Sequence, residues 1–265
     1  MLRRYYKAYS PAVGREMQLL AYGHYGSPLI AFPSGGGRFH DFEDNGMIEA
    51  LAHLIEAGKL KVYCPASLDG ESWLNHAIDP HWRAVRHAAY QDYILKDLVP
   101  LINQDCRAND LGIGLTGCSL GGYHAANFAL KFSHLFPYAL CLSGRYDLEA
   151  ITGTSTSQEV YFNNPLAYLY HLAGESLTWV RRHAHLTLVC GQGAWEDKCL
   201  AETRRLATLL RHKEISHQCD IWGHDVEHHW YWWRRQLSYH LERALERSTG
   251  GFAGRDPSLA PWARP

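Results

Sequence analysis

Residues 117–121 read Gly-Cys-Ser-Leu-Gly. They end the apolar run Leu111-Gly-Ile-Gly-Leu-Thr and open into Gly-Tyr-His-Ala-Ala-Asn-Phe-Ala-Leu. The pattern predicts a strand, a sharp turn and a helix, with Ser119 at the apex. A serine held on such a turn needs small neighbours, because the backbone is forced into a region that side chains resist. Its hydroxyl is thereby raised above the sheet edge. The following helix points its N-terminus at the site and favours developing negative charge.

The rest of the chain repeats this alternation. Glu16–Tyr22, Leu29–Phe32, Leu60–Cys64, Leu111–Thr116, Tyr138–Leu142, Leu186–Cys190 and Gln218–Trp222 read as strands. Between them, Gly46–Ala57, His87–Ile102, Gly122–Phe132, Leu200–His212 and Tyr231–Arg247 have helical spacing of apolar residues. Pro100 is expected to kink or end its helix. Strands alternating with helices imply a mostly parallel sheet covered on both faces, an α/β architecture. Residues 1–247 are expected to form one domain, with an insertion over the site at 145–180. The Gly- and Pro-rich tail, 248–265, is expected to be loosely ordered.

The chain has 265 residues, enough for one large core, and a formal net charge of −1. Nothing in that balance points to nucleic acid. The N-terminus lacks the apolar segment of a signal peptide, and no run is long enough to span a bilayer. Seven cysteines form no Cys-x-x-Cys pair, which fits a reducing cytoplasm. Self-association is left open.

A serine nucleophile needs a base, and the base needs an acid to orient it. On such a sheet the partners follow in the order serine, acid, histidine, each just past the carboxyl end of a strand. After the last strand the chain reads Gly223-His-Asp-Val-Glu-His-His-Trp. His228 is the first choice for the base, with His224 and His229 as alternatives. The histidine cluster lacks His-Glu-x-x-His spacing on a helix, so no metal is expected. After the penultimate strand come Glu196 and Asp197; Asp147, after the preceding strand, is a third candidate acid. Glu196 is preferred, with Trp195 expected to brace its loop by packing its indole. Two backbone N–H donors are needed for the oxyanion. One is that of Leu120, and the other belongs to the loop Pro33-Ser-Gly-Gly-Gly-Arg. Trp73, Tyr161, Trp195 and Trp230 are candidates to line a substrate pocket.

From about Tyr5 to Leu245 the chain resembles the esterase family of α/β-hydrolases that includes esterase D (S-formylglutathione hydrolase), siderophore esterases and mycolyltransferases. The matching pieces are Phe32-Pro-Ser-Gly-Gly-Gly-Arg-Phe, Glu71-Ser-Trp-Leu-Asn, Gly117-Cys-Ser-Leu-Gly-Gly-Tyr-His-Ala, Tyr161-Phe-Asn-Asn-Pro and His228-His-Trp-Tyr-Trp-Trp. The resemblance implies an α/β-hydrolase fold, favours His228 as the base, and places the second oxyanion donor at Gly36. It implies no metal and no organic cofactor. Where relatives often carry Gly-x-x-Asp, this chain has Ala194 in the fourth position and continues Trp195-Glu196-Asp197.

The expected function is hydrolysis of a small carboxylic ester or thioester through an acyl-enzyme on Ser119. The alternatives are an acyltransferase using the same residues, in which another acceptor replaces water, and a silent binding protein that keeps the fold. Intact Ser119, His228 and Gly36 argue against the last.

Overall fold

The computed structural model describes residues 1–108, 111–246 and 252. Its strands are β1 (Arg3–Ser10), β2 (Arg15–Tyr22), β3 (Ser27–Phe32), β4 (Leu60–Pro65), β5 (Gly114–Cys118), β6 (Tyr138–Leu142), β7 (His185–Cys190) and β8 (Ser216–Ile221). They form one eight-stranded sheet in the order β1-β2-β4-β3-β5-β6-β7-β8. The β1–β2 and β2–β4 pairs are antiparallel, and every pair from β4 through β8 is parallel.

Both faces of the sheet are covered, and strand alternation decides what each face meets. Along β6, Ala139 and Cys141 belong to one apolar cluster, while Tyr138, Leu140 and Leu142 belong to the other. The first cluster holds residues of the helices Pro80–Tyr93, Val99–Cys106, Leu120–Lys131 and Asp197–His212. The second holds those of Met47–Ala50, Ala52–Glu56 and Trp230–Glu246. Central strands buried on both sides explain why β4, β5 and β6 are buried at every position.

Three elements differ from the sequence reading. β1 was not foreseen: its charged and aromatic residues give no clean alternation, and as an edge strand it buries only Ser10. The stretch 46–57 is two short helices, divided at Leu51. Pro100 does not end its helix. The helical run Pro80–Cys106 continues through it, with a π-helical turn over Ile94–Leu98 just ahead, which shifts the hydrogen-bond register where the proline N–H is missing. The insertion 145–180 contains the helices Glu149–Thr152, Gln158–Tyr161 and Pro165–His171 and most of Gly174–His183. The expected loose tail lies outside the described residues apart from Phe252. That ring is buried and stacks on Tyr138, with centroids 5.1 Å apart. Among the described residues, no helix is long and apolar enough to cross a membrane.

Candidate active site

β5 delivers the chain to Ser119, which has φ 56° and ψ −119° and caps the helix Leu120–Lys131. A side chain rarely adopts that conformation, and the surroundings hold it. The Ser119 N–H donates to the Leu142 carbonyl at 2.9 Å, and the Ser119 carbonyl accepts from the Gly122 N–H at 3.0 Å. Close approach makes the flanking glycines necessary. A Cβ on Gly117 would lie 2.3 Å from the Gly121 carbonyl carbon, and one on Gly121 would lie 2.5 Å from the Pro33 carbonyl oxygen. Cys118, beside Ser119, is fully buried, and burial pushes its thiol well above its ordinary value.

The glycine loop after β3 is a tight turn. The Gly37 N–H donates to the Ser34 carbonyl at 2.8 Å, and Gly36 takes φ 75°, which the third position of a type II turn requires. Asp41 holds the turn from behind: its Oδ2 accepts from the Ser34 N–H at 3.1 Å and from Ser34 Oγ at 2.8 Å. A Cβ on Gly35 would touch Leu120 Cβ at 3.5 Å, so the turn lies directly against the first residue of the helix Leu120–Lys131. Gly36 is exposed and Ser119 partly so.

The candidate acid and the candidate base come from two loops laced together by backbone bonds. Gln192 N–H donates to the Gly223 carbonyl, Gly193 N–H to that of Val226, and His228 N–H to that of Ala194, at 3.2, 2.8 and 3.0 Å. Glu196 Oε2 lies 3.1 Å from His228 Nδ1. The Glu196 carboxylate is buried while the His228 ring is 20% exposed. The other carboxylate oxygen, Oε1, accepts from Ser143 Oγ at 2.5 Å and from the Gly191 N–H at 3.4 Å. Ser143 Oγ in turn accepts from Trp233 Nε1 at 3.0 Å. The Trp233 ring also meets His228 edge-on, with centroids 4.7 Å apart. The imidazole is therefore held by a hydrogen bond on one atom and an indole against its ring.

The other candidates are engaged elsewhere. Asp147 pairs with Arg205 at 2.7 Å and accepts from Asn164 Nδ2 at 3.1 Å. Asp197 is exposed in the first turn of its helix. His224 and His229 are exposed, and His229 Nδ1 accepts from the Tyr231 N–H at 3.2 Å. Trp195 corrects an expectation: its side chain is 87% exposed and braces nothing. Its contribution is its backbone, at φ 68°, which turns the chain so that Glu196 faces inward. Trp73 is fully buried in a cluster with Leu120 and Tyr123, so it lies beneath the surface and not on an open pocket wall. Tyr161 is half-buried, and so is Trp230, which packs edge-on to Phe42 and Trp233.

Sequence reasoning missed Ser143, Trp233, Asp41 and Cys199. Cys199 Sγ lies 3.8 Å from His228 Nδ1. Burial pushes its thiol up to about 12, with the nearby Glu196 carboxylate acting in the same direction. Only the spacing of Trp230 and Trp233, on one face of the last helix, carried any signal.

Residues 10–244 match the family described as "Putative esterase". The chain belongs to that esterase family. Comparison with curated protein sequences finds no match. Among solved structures, the chain is similar to an S-formylglutathione hydrolase of Staphylococcus aureus, with 16% identity and a TM-score of 0.69 over 92% of this chain and 96% of that one. It is similar to the fluorophosphonate-binding serine hydrolase F of the same organism, with 18% identity and a TM-score of 0.70 over 92% and 98%. A third similar structure is MPT51 of Mycobacterium tuberculosis, with 16% identity and a TM-score of 0.68 over 93% and 98%. The fold is the α/β-hydrolase fold, and the family's activity is hydrolysis of small-molecule esters.

Proposed function

We propose that Ser119, His228 and Glu196 form the catalytic triad of this esterase, and that the substrate is a small carboxylic ester or thioester. The observation that carries the reading is the bond between Glu196 Oε2 and His228 Nδ1. It supports the Nδ1–H tautomer, leaving Nε2 as the lone-pair nitrogen that a serine nucleophile needs.

In this mechanism Ser119 Oγ attacks the ester carbonyl carbon and its proton passes to His228 Nε2. The carbonyl oxygen becomes an oxyanion held by the N–H groups of Leu120 and Gly36. Collapse breaks the carbon–oxygen or carbon–sulfur bond, and the imidazolium returns its proton to the leaving alcohol or thiol. Water then repeats the cycle on the acyl-enzyme. Glu196 stabilises the imidazolium throughout and does not itself take the proton. Of the candidate pocket residues, Trp230 and Trp195 adjoin the base and acid loops, Tyr161 belongs to the insertion, and Trp73 serves as packing below Leu120. The seven cysteines, all free, support a cytoplasmic setting.

The test is a panel of acyl esters and thioesters of varied chain length, run on wild type and Ser119→Ala with and without an added alcohol acceptor. Hydrolysis by wild type alone is expected. Product passing mainly to the acceptor would make the enzyme a transferase, and turnover by Ser119→Ala would remove the nucleophile assignment.

A further inference from the structure

Beside the imidazole is a thiol that the hydrolytic reaction does not use, and it completes a donor set with two groups that the reaction does. Cys199 Sγ, His228 Nδ1 and one Glu196 oxygen all lie within 4.8 Å of one another. The sulfur–nitrogen distance is 3.8 Å and the nitrogen–oxygen distance 3.1 Å. A tetrahedral zinc ion with ordinary bond lengths separates a thiolate from an imidazole nitrogen by about 3.6 Å, and that nitrogen from a carboxylate oxygen by about 3.3 Å. Both separations from the imidazole nitrogen therefore stand close to zinc-binding values, and the third, sulfur to oxygen, is no more than 4.8 Å. Cys190 Sγ, 3.4 Å from Glu196 Oε2, is the next donor at hand.

We propose that Cys199, His228 and Glu196 form an inhibitory site for a soft divalent cation of the zinc type. Thiolate and imidazole ligands favour such a cation over magnesium or calcium. Charge supports the assignment: one thiolate and one carboxylate neutralise a divalent ion, so no net charge is left in a buried place. Binding follows a definite proton balance. The Cys199 thiol loses its proton to solvent as the sulfur–metal bond forms. The His228 Nδ1 lone pair becomes a ligand, so the proton once on Nδ1 is carried on Nε2. No atom changes oxidation state.

The consequence for rate rests on the triad reading above. With a proton on Nε2, His228 cannot accept the Ser119 proton, and Glu196 no longer orients the ring. The ion blocks the reaction from the far side of the imidazole without entering the substrate's place.

The experiment titrates free Zn²⁺ against hydrolysis of 4-nitrophenyl acetate by wild type and Cys199→Ala, each rate taken relative to the same protein without zinc. Wild type should lose its activity and regain it with chelator. Cys199→Ala should need about tenfold more zinc or greater, since one of three ligands is gone. Cobalt(II) supplies a readout independent of turnover: a thiolate-to-cobalt charge-transfer band in wild type and in Ser119→Ala, absent from Cys199→Ala. That band separates failure of this site from failure of the acyl-enzyme mechanism. Cys199→Ser, closer in size and a poorer ligand, serves if the alanine variant does not fold. Equal zinc sensitivity of wild type and the Cys199 variants, or cobalt binding without the thiolate band, overturns the proposal.

Discussion

Replacing Glu196 by Gln removes a charge while keeping the shape, and the structure sets the size of the effect. Each carboxylate oxygen faces one donor that cannot turn round: the Gly191 N–H on Oε1 at 3.4 Å and the Nδ1 side of His228 on Oε2 at 3.1 Å. Ser143 Oγ, on Oε1, can redirect its proton, although Trp233 Nε1 already donates to it. A Gln amide must place its NH₂ group toward one of the two fixed donors. Against His228 it forces the wrong tautomer, an exchange that costs about 10⁴ in kcat in the serine-protease triad. Against Gly191 it spares the tautomer but still loses the attraction between carboxylate and imidazolium. At a separation of about 4 Å and an effective dielectric constant of about 20, that attraction is about 4 kcal/mol, or roughly a thousandfold in rate. The expected loss in kcat/KM is therefore about 10³ to 10⁴, measured on 4-nitrophenyl acetate with thermal unfolding as the folding control. Asp197→Asn and Asp147→Asn should stay near wild type, because one is exposed and the other is paired with Arg205. A folded Glu196→Gln enzyme within tenfold of wild type would refute the reasoning.

Ser119→Ala should abolish both turnover and fluorophosphonate labelling in a folded protein, and His228→Ala should lose about as much turnover, because the two act as a unit; labelling of the Ser119→Ala variant at another residue would contradict this. Asp69→Ala leaves His124 without its 2.8 Å partner in a place where both side chains are buried, so a loss of about 1 to 3 kcal/mol is expected from denaturant midpoints. Burial pulls the Lys131 ammonium down from 10.5 to about 8. The unfolded chain therefore holds more protons between those values, and wild type should gain stability relative to Lys131→Met as pH rises from 8 toward 10, by about 3 kcal/mol at most; a constant difference between the two proteins across denaturation curves at pH 7 to 10 would contradict it. Exhaustive chelation should leave hydrolysis at full rate or raise it, and activity that vanished with chelator and returned with zinc would exclude the triad mechanism.

The parts of the fold legible in the sequence are those governed by burial on both faces. Tyr138–Leu142 reads as a strand and is one, residue for residue, because every position is buried. The helix Asp197–His212 reads from its apolar spacing but begins three residues earlier than expected, since its first turn carries exposed Asp197 and Lys198. β1 escapes notice because an edge strand is held by its ladder to β2 more than by buried side chains. Pro100 misleads because the π turn ahead of it lies in backbone hydrogen bonding that residue types do not record.

The site divides in the same way. The glycines around Ser119 and of the turn after β3 advertise themselves, since only glycine tolerates a Cβ-excluding contact or a left-handed turn cheaply. What supports the acid does not. Of the five non-glycine residues with positive φ among those described, three are Ser119, Ser143 and Trp195. Such positions cost on the order of 1–3 kcal/mol each and persist only where the surroundings over-determine them. Here the restraints are visible: Ser119 N–H on the Leu142 carbonyl, Ser143 N–H on that of Val189 at 2.7 Å, and Glu196 N–H, just after Trp195, on that of Gly193 at 3.3 Å. The glycines around Ser119 announce its strain, but nothing in the letters announces a positive φ at Ser143 or Trp195. The loop to Glu196 is longer than the Gly-x-x-Asp of relatives. Its extra residues supply the left-handed step at Trp195 that brings the carboxylate under the imidazole, and an acid on a longer side chain reaches the same nitrogen.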